Sequence, residues 1–224
     1  MSRSLCREAY LSQGNWSLHT TDFAKSKLWG YFNMLDPYDV LDAERQLLEI
    51  ALEDGPYDGI LGYSQGATFA AQTVIQHIIE NPRATIQEMP FRFAIFFNGA
   101  TPSRVSPLTE EPRPIRIESD PEAINFYKVQ KANPILHSTA FYPAALSNGR
   151  NILTDGQIGM IKCDPDIDGT MIKIPTLHVR CPTDNYEHGL ELQKLCEPSS
   201  VQEYFHGHGH DFPRVCISAA TGLF

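Results

Sequence analysis

The residues with the clearest chemical potential are Gly62-Tyr63-Ser64-Gln65-Gly66, in which a serine stands between two glycines. A short predicted strand that contains Ile60 and Leu61 precedes them, and residues 67–80 follow with apolar side chains at helical spacing. This pattern predicts a sharp turn from a strand into a helix, with the hydroxyl of Ser64 exposed as a nucleophile. Glycine is expected at 62 and 66 because side chains there would meet the neighbouring strand and helix.

A serine hydroxyl needs a histidine to take its proton and a carboxylate to orient that histidine. When the serine lies in a turn of this kind, the chain order is serine, acid, histidine. Asp184 follows a predicted strand at 173–180, and His210 follows another at 201–205, so both should reach the sheet edge at which Ser64 lies. This makes Ser64, Asp184 and His210 candidate catalytic residues, with the backbone N–H of Gln65 in the oxyanion hole.

Other side chains compete for the roles of acid and base. The rival acids are Asp155, Asp164, Asp166, Asp168 and Glu187, and the rival bases are His206 and His208. The three histidines from 206 to 210 could instead share a metal ion, but no carboxylate or cysteine completes such a site, so neither a metal nor another cofactor is expected. The remaining histidines are expected to be packing or surface residues: His19, His77, His137, His178 and His188.

The elements around Ser64 indicate an α/β fold. A helix is predicted at 39–54 and a strand at 91–98, so the Ser64 strand, the helix at 67–80 and the strand at 91–98 make a parallel βαβ unit. The 224 residues suit a single α/β-hydrolase-like domain, 1–224, with a mostly parallel sheet flanked by helices.

Residues 101–171 interrupt this pattern with prolines and charges, and no regular pattern resumes before Ile172. We expect this segment to be an inserted cap or lid. Its aromatic residues either line a hydrophobic pocket or fill the cap's own core: Phe126, Tyr127, Phe141 and Tyr142. On the first alternative, Tyr63, Phe126 and Phe141 would bind substrate.

The charge balance excludes some partners. There are 27 acidic and 18 basic residues, a net charge of −9, and no basic cluster, so binding to nucleic acid or to an anionic membrane surface is not expected. No apolar run approaches the ~20 residues of a membrane span, and the first residues lack the apolar region of a secretory signal. With five cysteines and no Cys-x-x-Cys motif, a cytoplasmic protein with reduced thiols is expected.

Three blocks of the sequence resemble the fungal serine hydrolase (FSH) family. Residues 55–67 resemble its signature Gly-Pro-Phe-Asp-Gly-x-x-Gly-Phe-Ser-Gln-Gly-Ala. Residues 174–179 with Asp184 resemble its Ile-Pro-(Ser/Thr)-Leu-His-Val strand and catalytic aspartate, and Gly209-His210 with Pro213 resembles its Gly-Gly-His-x-x-Pro block. The resemblance covers residues 28–100 and 172–215. It implies the triad Ser64, Asp184 and His210, esterase or thioesterase activity, and release of a polyketide-type acyl chain from a synthase carrier domain in secondary metabolism.

The sequence departs from this family at its start, because nothing in residues 1–22 resembles the family's opening strand and His-Gly turn. The Ser64 strand would then have an open edge, covered by residues 1–22 or by a second subunit of a homo-oligomer, or else left open in a shortened form with weak activity. Two alternatives to hydrolysis of a small acyl ester or carrier-bound thioester stay open. They are acyl transfer or cyclisation, and an accessory binding module that has lost its oxyanion hole.

Overall fold

The computed structural model describes residues 17–18, 28–29, 31–33, 36–55, 57–115, 141–184 and 186–212. In chain order, the strands and helices are β1 (Ser17–Leu18), β2 (Leu28–Trp29), α1 (Pro37–Glu53), β3 (Gly59–Tyr63), α2 (Gln65–Glu80), β4 (Phe93–Phe97), β5 (Ser103–Pro107), β6 (Arg113–Pro114), β7 (Tyr142–Ala145), β8 (Asn151–Thr154), β9 (Ile158–Lys162), α3 (Pro165–Asp168), β10 (Thr176–Arg180), α4 (Tyr186–Lys194) and β11 (Val201–Phe205). Short 3-10 helices lie at Ile86–Glu88 and Pro198–Ser200.

A four-stranded parallel sheet forms the centre of the fold, in the order β11-β10-β4-β3. Tyr63 lies opposite Phe97, Phe97 lies opposite Val179, and Arg180 lies opposite Phe205. The carboxyl ends of the four strands therefore meet at one edge of the sheet, which is where parallel sheets place their active sites. The predicted α/β class is confirmed.

Helix α2 packs on β3 and β4 of this sheet, and helix α1 packs on α2. Both helices are close to their predicted positions. Helix α1 begins where the side chain of Asp36 accepts hydrogen bonds from two backbone N–H groups of the first turn, with Pro37 in that turn. Helix α2 begins directly after Ser64 and buries one face in the main core. That core includes Ala67, Ala70, Ala71, Val74, Ile75, Ala94 and Phe96. None of the described helices is long and apolar enough to cross a membrane.

A second, five-stranded antiparallel sheet has the order β5-β9-β8-β7-β6. Val105 of this sheet packs with Val40 of α1 and Phe69 of α2 in a smaller core. The expectation that regular structure resumes only at Ile172 is therefore wrong. These strands have two to five residues and several contain proline, so their alternating pattern is too short to stand out from a loop. The role of residues 101–171 as a cap stays a prediction.

The nucleophile strand β3 pairs with β4, and the described residues include no strand on its other side. Strands β1 and β2 form a separate antiparallel pair. Apart from residues 17–18, the segment 1–22, on which the predicted absence of an opening strand depends, lies outside the described residues. The open edge stays a prediction.

Candidate active site

Ser64 occupies a strained turn between β3 and α2. Its φ of 53° and ψ of −120° place a non-glycine residue at positive φ, where L-amino acids are disfavoured. The turn is held by a hydrogen bond of 2.8 Å from the N–H of Ser64 to the carbonyl of Phe97. A Cβ atom at Gly62 would lie 2.5 Å from the Cα of Ala67 in the first turn of α2, so only glycine fits there. This geometry is that of a nucleophile elbow.

The second glycine of the motif has a different neighbour from the one expected. A Cβ atom at Gly66 would lie 3.3 Å from the ring of Tyr31, which also stacks on Phe69 with ring centroids 5.6 Å apart. The close approach that the sequence predicted at Gly66 is thus to an aromatic side chain, and the neighbouring strand is not its cause.

The structure brings the three predicted catalytic side chains into one hydrogen-bonded chain. The Nε2 atom of His210 lies 2.7 Å from the Oγ atom of Ser64, and the Nδ1 atom of His210 lies 2.5 Å from the Oδ2 atom of Asp184. A neutral imidazole with its proton on Nδ1 donates to the carboxylate and leaves Nε2 to accept from the serine hydroxyl. The side chain of Asp184 is 16% exposed and that of His210 is 46% exposed, so solvent and substrate can reach the histidine.

The rival acids have other positions. Asp155 accepts a hydrogen bond of 2.9 Å from the hydroxyl of Tyr38. Asp164 caps the short helix α3, and Asp168 pairs with Arg150. The remaining two rivals, Asp166 and Glu187, are exposed.

The rival bases form a separate arrangement. His206 is buried, its Nδ1 atom accepts from the N–H of His208 at 3.3 Å, and the two rings stack with centroids 5.8 Å apart. Burial lowers the pKa of His206, and the neighbouring His208 lowers it further. Across the part of the chain that the structure describes, no three His, Cys, Asp or Glu side chains are grouped to hold a metal ion.

Gln65 contributes to the site in two ways. It is the first residue of α2, where backbone N–H groups have no carbonyl partner within the helix and the helix dipole favours negative charge. Its side chain accepts from the N–H of Tyr31 and donates to the carbonyl of Phe32, each at 3.4 Å. The Gln65 side chain thus links Tyr31 and Phe32 to the elbow, a contact that no sequence pattern predicts.

Aromatic side chains lie beside the triad. The hydroxyl of Tyr63 donates a hydrogen bond to the backbone carbonyl of His210, and the two rings are 5.5 Å apart. Phe212 lies 6.2 Å from the ring of Tyr63 and 4.3 Å from that of Phe97. Tyr63 and Phe212 are each 37% exposed, so they present apolar surface next to Ser64 and His210.

Burial raises the pKa of Tyr63, and the carboxylates of Asp211 and Asp184 raise it further, so its hydroxyl remains a donor.

Of the other predicted substrate-binding residues, the structure describes Phe141. Phe141 is buried, and its ring packs against that of Tyr38 at 5.7 Å. Phe126 and its neighbour Tyr127 lie outside the described residues. Substrate binding by these aromatic residues stays a prediction.

Most of the remaining histidines and cysteines that the structure describes are buried. His178 contacts Thr176 at 3.2 Å, and burial lowers its pKa to about 3, as expected for a packing residue. His77 is half-buried near the end of α2. Cys163, Cys181 and Cys196 are free thiols, and burial raises the pKa of Cys163 and of Cys196 to about 12. The thiols of Cys163 and Cys196 are therefore unreactive at neutral pH.

Known hydrolases and esterases resemble this chain over most of its length. The chain is 28% identical to Hydrolase FUB4 of Fusarium oxysporum f. sp. lycopersici, over 83% of this chain and 71% of that protein. It is 25% identical to Esterase FPY3 of Fusarium mangiferae, over 86% of this chain and 65% of that protein. A solved α/β hydrolase from a lagoon-sediment metagenome is 16% identical with a TM-score of 0.45, over 87% of this chain and 73% of that one. The family model described as Serine hydrolase (FSH1) matches residues 8–216. Because that match spans most of the chain, the chain belongs to the FSH1 family of serine hydrolases.

Proposed function

We propose that this chain hydrolyses a small-molecule ester or thioester through a covalent acyl-enzyme at Ser64. The observation that carries the proposal is the hydrogen-bonded chain from Ser64 through His210 to Asp184, with distances of 2.7 and 2.5 Å. A serine in a strained elbow with a histidine within hydrogen-bond reach is the arrangement that acyl transfer requires.

In the first half of the reaction, the Oγ atom of Ser64 attacks the acyl carbonyl while the Nε2 atom of His210 takes the serine proton. The carbonyl oxygen becomes an oxyanion, which accepts a hydrogen bond from the backbone N–H of Gln65. Asp184 stabilises the imidazolium of His210, which then gives its proton to the departing alcohol or thiol. The C–O or C–S bond to the leaving group breaks, and the acyl group remains on Ser64.

In the second half, water attacks the acyl-enzyme and His210 takes a proton from that water. Collapse of the second tetrahedral intermediate releases the carboxylic acid and returns the proton to Ser64. The exposed side of His210 supports this step, because water must approach the imidazole from solvent.

The finer proposal concerns the acyl group, which we take to be a polyketide-type chain carried as an ester or as a thioester on a synthase carrier domain. This part rests on the family to which the chain belongs. The exposed rings of Tyr63 and Phe212 beside the triad support an apolar acyl group, since they offer it a surface to pack against. Comparison of p-nitrophenyl esters with N-acetylcysteamine thioesters of the same acyl length tests this part, and turnover of esters alone would contradict thioesterase activity.

The central proposal is tested with a fluorophosphonate probe, which reacts with an activated serine. Wild-type protein should be labelled, and Ser64→Ala should not. Ser147→Ala, which changes an exposed serine in the turn between β7 and β8, is the matched control and should label like wild type. His210→Ala and Asp184→Asn should each lower kcat/KM for an ester by several orders of magnitude, because triad residues act as a unit. Absence of labelling in folded wild-type protein would refute the proposal, and near-normal hydrolysis by His210→Ala would assign the base to His206 or His208.

A further inference from the structure

We infer that Asn98 is a positioning residue for the triad, because its carboxamide fixes the turn that carries Asp184 relative to the Ser64 elbow. The inference rests on the proposed function, since positioning matters only if Ser64, His210 and Asp184 react together. Asn98 immediately follows β4, the strand that lies between the nucleophile strand β3 and the acid strand β10.

The register places Asn98 between the two ends that must be aligned. Phe97 is opposite Tyr63 on one side and opposite Val179 on the other. One residue further along the three chains are Ser64 after Tyr63, Asn98 after Phe97, and Arg180 after Val179. Asn98 therefore lies level with the nucleophile. Any tilt of the peptide at 97–98 would therefore shift the elbow and the acid turn relative to each other.

Hydrogen bonds connect this peptide to both sides. The carbonyl of Phe97 accepts from the N–H of Ser64 at 2.8 Å. The Oδ1 atom of Asn98 accepts from the N–H of Cys181 at 3.2 Å, and the carbonyl of Cys181 accepts from the N–H of Asp184 at 3.1 Å. A continuous path of backbone and carboxamide thus runs from the nucleophile to the catalytic acid, and its one side-chain link is Asn98.

The cost of Asn98 to the fold indicates that this link is its function. Its φ of 45° is in the left-handed region, which glycine adopts more easily. Its side chain is 9% exposed, and its Nδ2 atom is buried without a hydrogen-bond partner among the described residues. Glycine would remove both penalties, but it would leave the N–H of buried Cys181 without its acceptor. The gain and the loss for folding are of similar size, so folding alone does not select asparagine here.

The test uses Asn98→Gly. The values of kcat and KM are measured with a p-nitrophenyl ester as substrate, and the melting temperature of the variant is measured separately. The variant should fold with an unchanged or higher melting temperature. Its kcat should fall about tenfold, which is the rate equivalent of one lost hydrogen bond, and its KM should stay within about twofold. Asn148→Gly is the matched control, because the Oδ1 atom of Asn148 also accepts a backbone N–H, that of Arg150 at 3.1 Å, but in a turn of the antiparallel sheet. The control should leave kcat unchanged.

A double-mutant cycle separates positioning of Asp184 from a general effect on the fold. If Asn98 acts through Asp184, Asn98→Gly should change kcat by less than about twofold in the Asp184→Asn background. A tenfold loss that persists in that background, or a kcat of Asn98→Gly equal to that of wild type, would overturn the inference. Fluorophosphonate labelling of wild type is measured in parallel: failure to label contradicts the proposed function itself, whereas normal labelling with an unaffected Asn98→Gly contradicts only the role of Asn98.

Discussion

The carboxyl group of Glu44 in helix α1 is buried in the core. Replacement of Glu44 by glutamine should change how the free energy of unfolding depends on pH. Its side chain is 1% exposed, and burial raises the pKa of Glu44 from 4.5 to about 8. Its Oε1 atom accepts one hydrogen bond, from the Nε2 atom of Gln72 at 3.5 Å, and its Oε2 atom has no partner among the described residues. The neutral carboxylic acid is therefore the form that the fold accommodates at neutral pH.

The sign of the effect follows from proton binding in the two states. Between pH 4.5 and about 8 the unfolded chain has released the proton of Glu44 while the folded chain retains it, so the free energy of unfolding falls as pH rises through this window. Each pKa unit is worth about 1.4 kcal/mol, so the full shift corresponds to about 5 kcal/mol of destabilisation at alkaline pH. The penalty is absent below pH 4.5, where both states are protonated.

The substitution Glu44→Gln keeps the shape and the acceptor for Gln72 but cannot ionise. Urea unfolding followed by circular dichroism at pH 5, 7 and 9 should show little difference from wild type at pH 5 and a stabilisation of several kcal/mol at pH 9. Glu49→Gln, which changes an exposed glutamate of the same helix, is the control and should not alter the pH dependence. A constant difference between Glu44→Gln and wild type across this range would refute a buried, neutral Glu44.

Two further substitutions test contacts that the structure shows. Tyr63→Phe removes the hydroxyl that donates to the carbonyl of His210 and leaves the ring. Loss of a hydrogen bond worth about 1 kcal/mol should lower kcat on a p-nitrophenyl ester by up to about fivefold, with the melting temperature nearly unchanged. An unaltered kcat would show that the bond does not hold His210 in place. Asp168→Asn breaks the pair in which Asp168 contacts Arg150 at 2.8 and 2.9 Å, with both side chains 9% exposed. The free energy of unfolding at pH 7 should be about 3 kcal/mol lower than that of wild type. The kcat of the folded variant should be unchanged. Because Arg150 lowers the pKa of Asp168, the wild-type advantage should be present above the unfolded value of 3.8 and should be lost as pH falls through the lower folded value, and an advantage independent of pH would contradict this assignment.

The sequence predicted the strand-turn-helix at Ser64 and the parallel unit around it because their signals are local. Glycine at 62 is required by a contact with the next turn of the same chain, and apolar residues at 67–80 repeat with the helical period. The end of β10 and the end of β11 then had to reach the same sheet edge, so strand order placed Asp184 and the histidines of 206–210 there, and the family resemblance selected His210 among them.

What the sequence did not reveal depends on contacts between distant residues. The hydroxyl of Tyr63 and the side chain of Gln65 bond to segments 147 and 34 residues away, and no local pattern encodes such pairs. The burial of Glu44 did leave a signal that was missed. It is four residues after Val40 and seven before Ala51, both buried, and so it is on the apolar face of α1.

Backbone strain points to the site independently of the motif. Among the described residues, only Ser64 and Asn98 adopt positive φ without being glycine, and they follow the ends of the paired strands β3 and β4. At Gly149, Gly156, Gly169 and Gly209, positive φ occurs at glycine, where it carries little penalty. Strained residues persist where the surroundings hold them and where function requires the conformation. The two strained residues lie side by side at the sheet edge that bears His210 and Asp184, so the fold gives up stability at the place where the chemistry is proposed to occur, and substitutions that relax this edge should stabilise the protein as they slow the reaction.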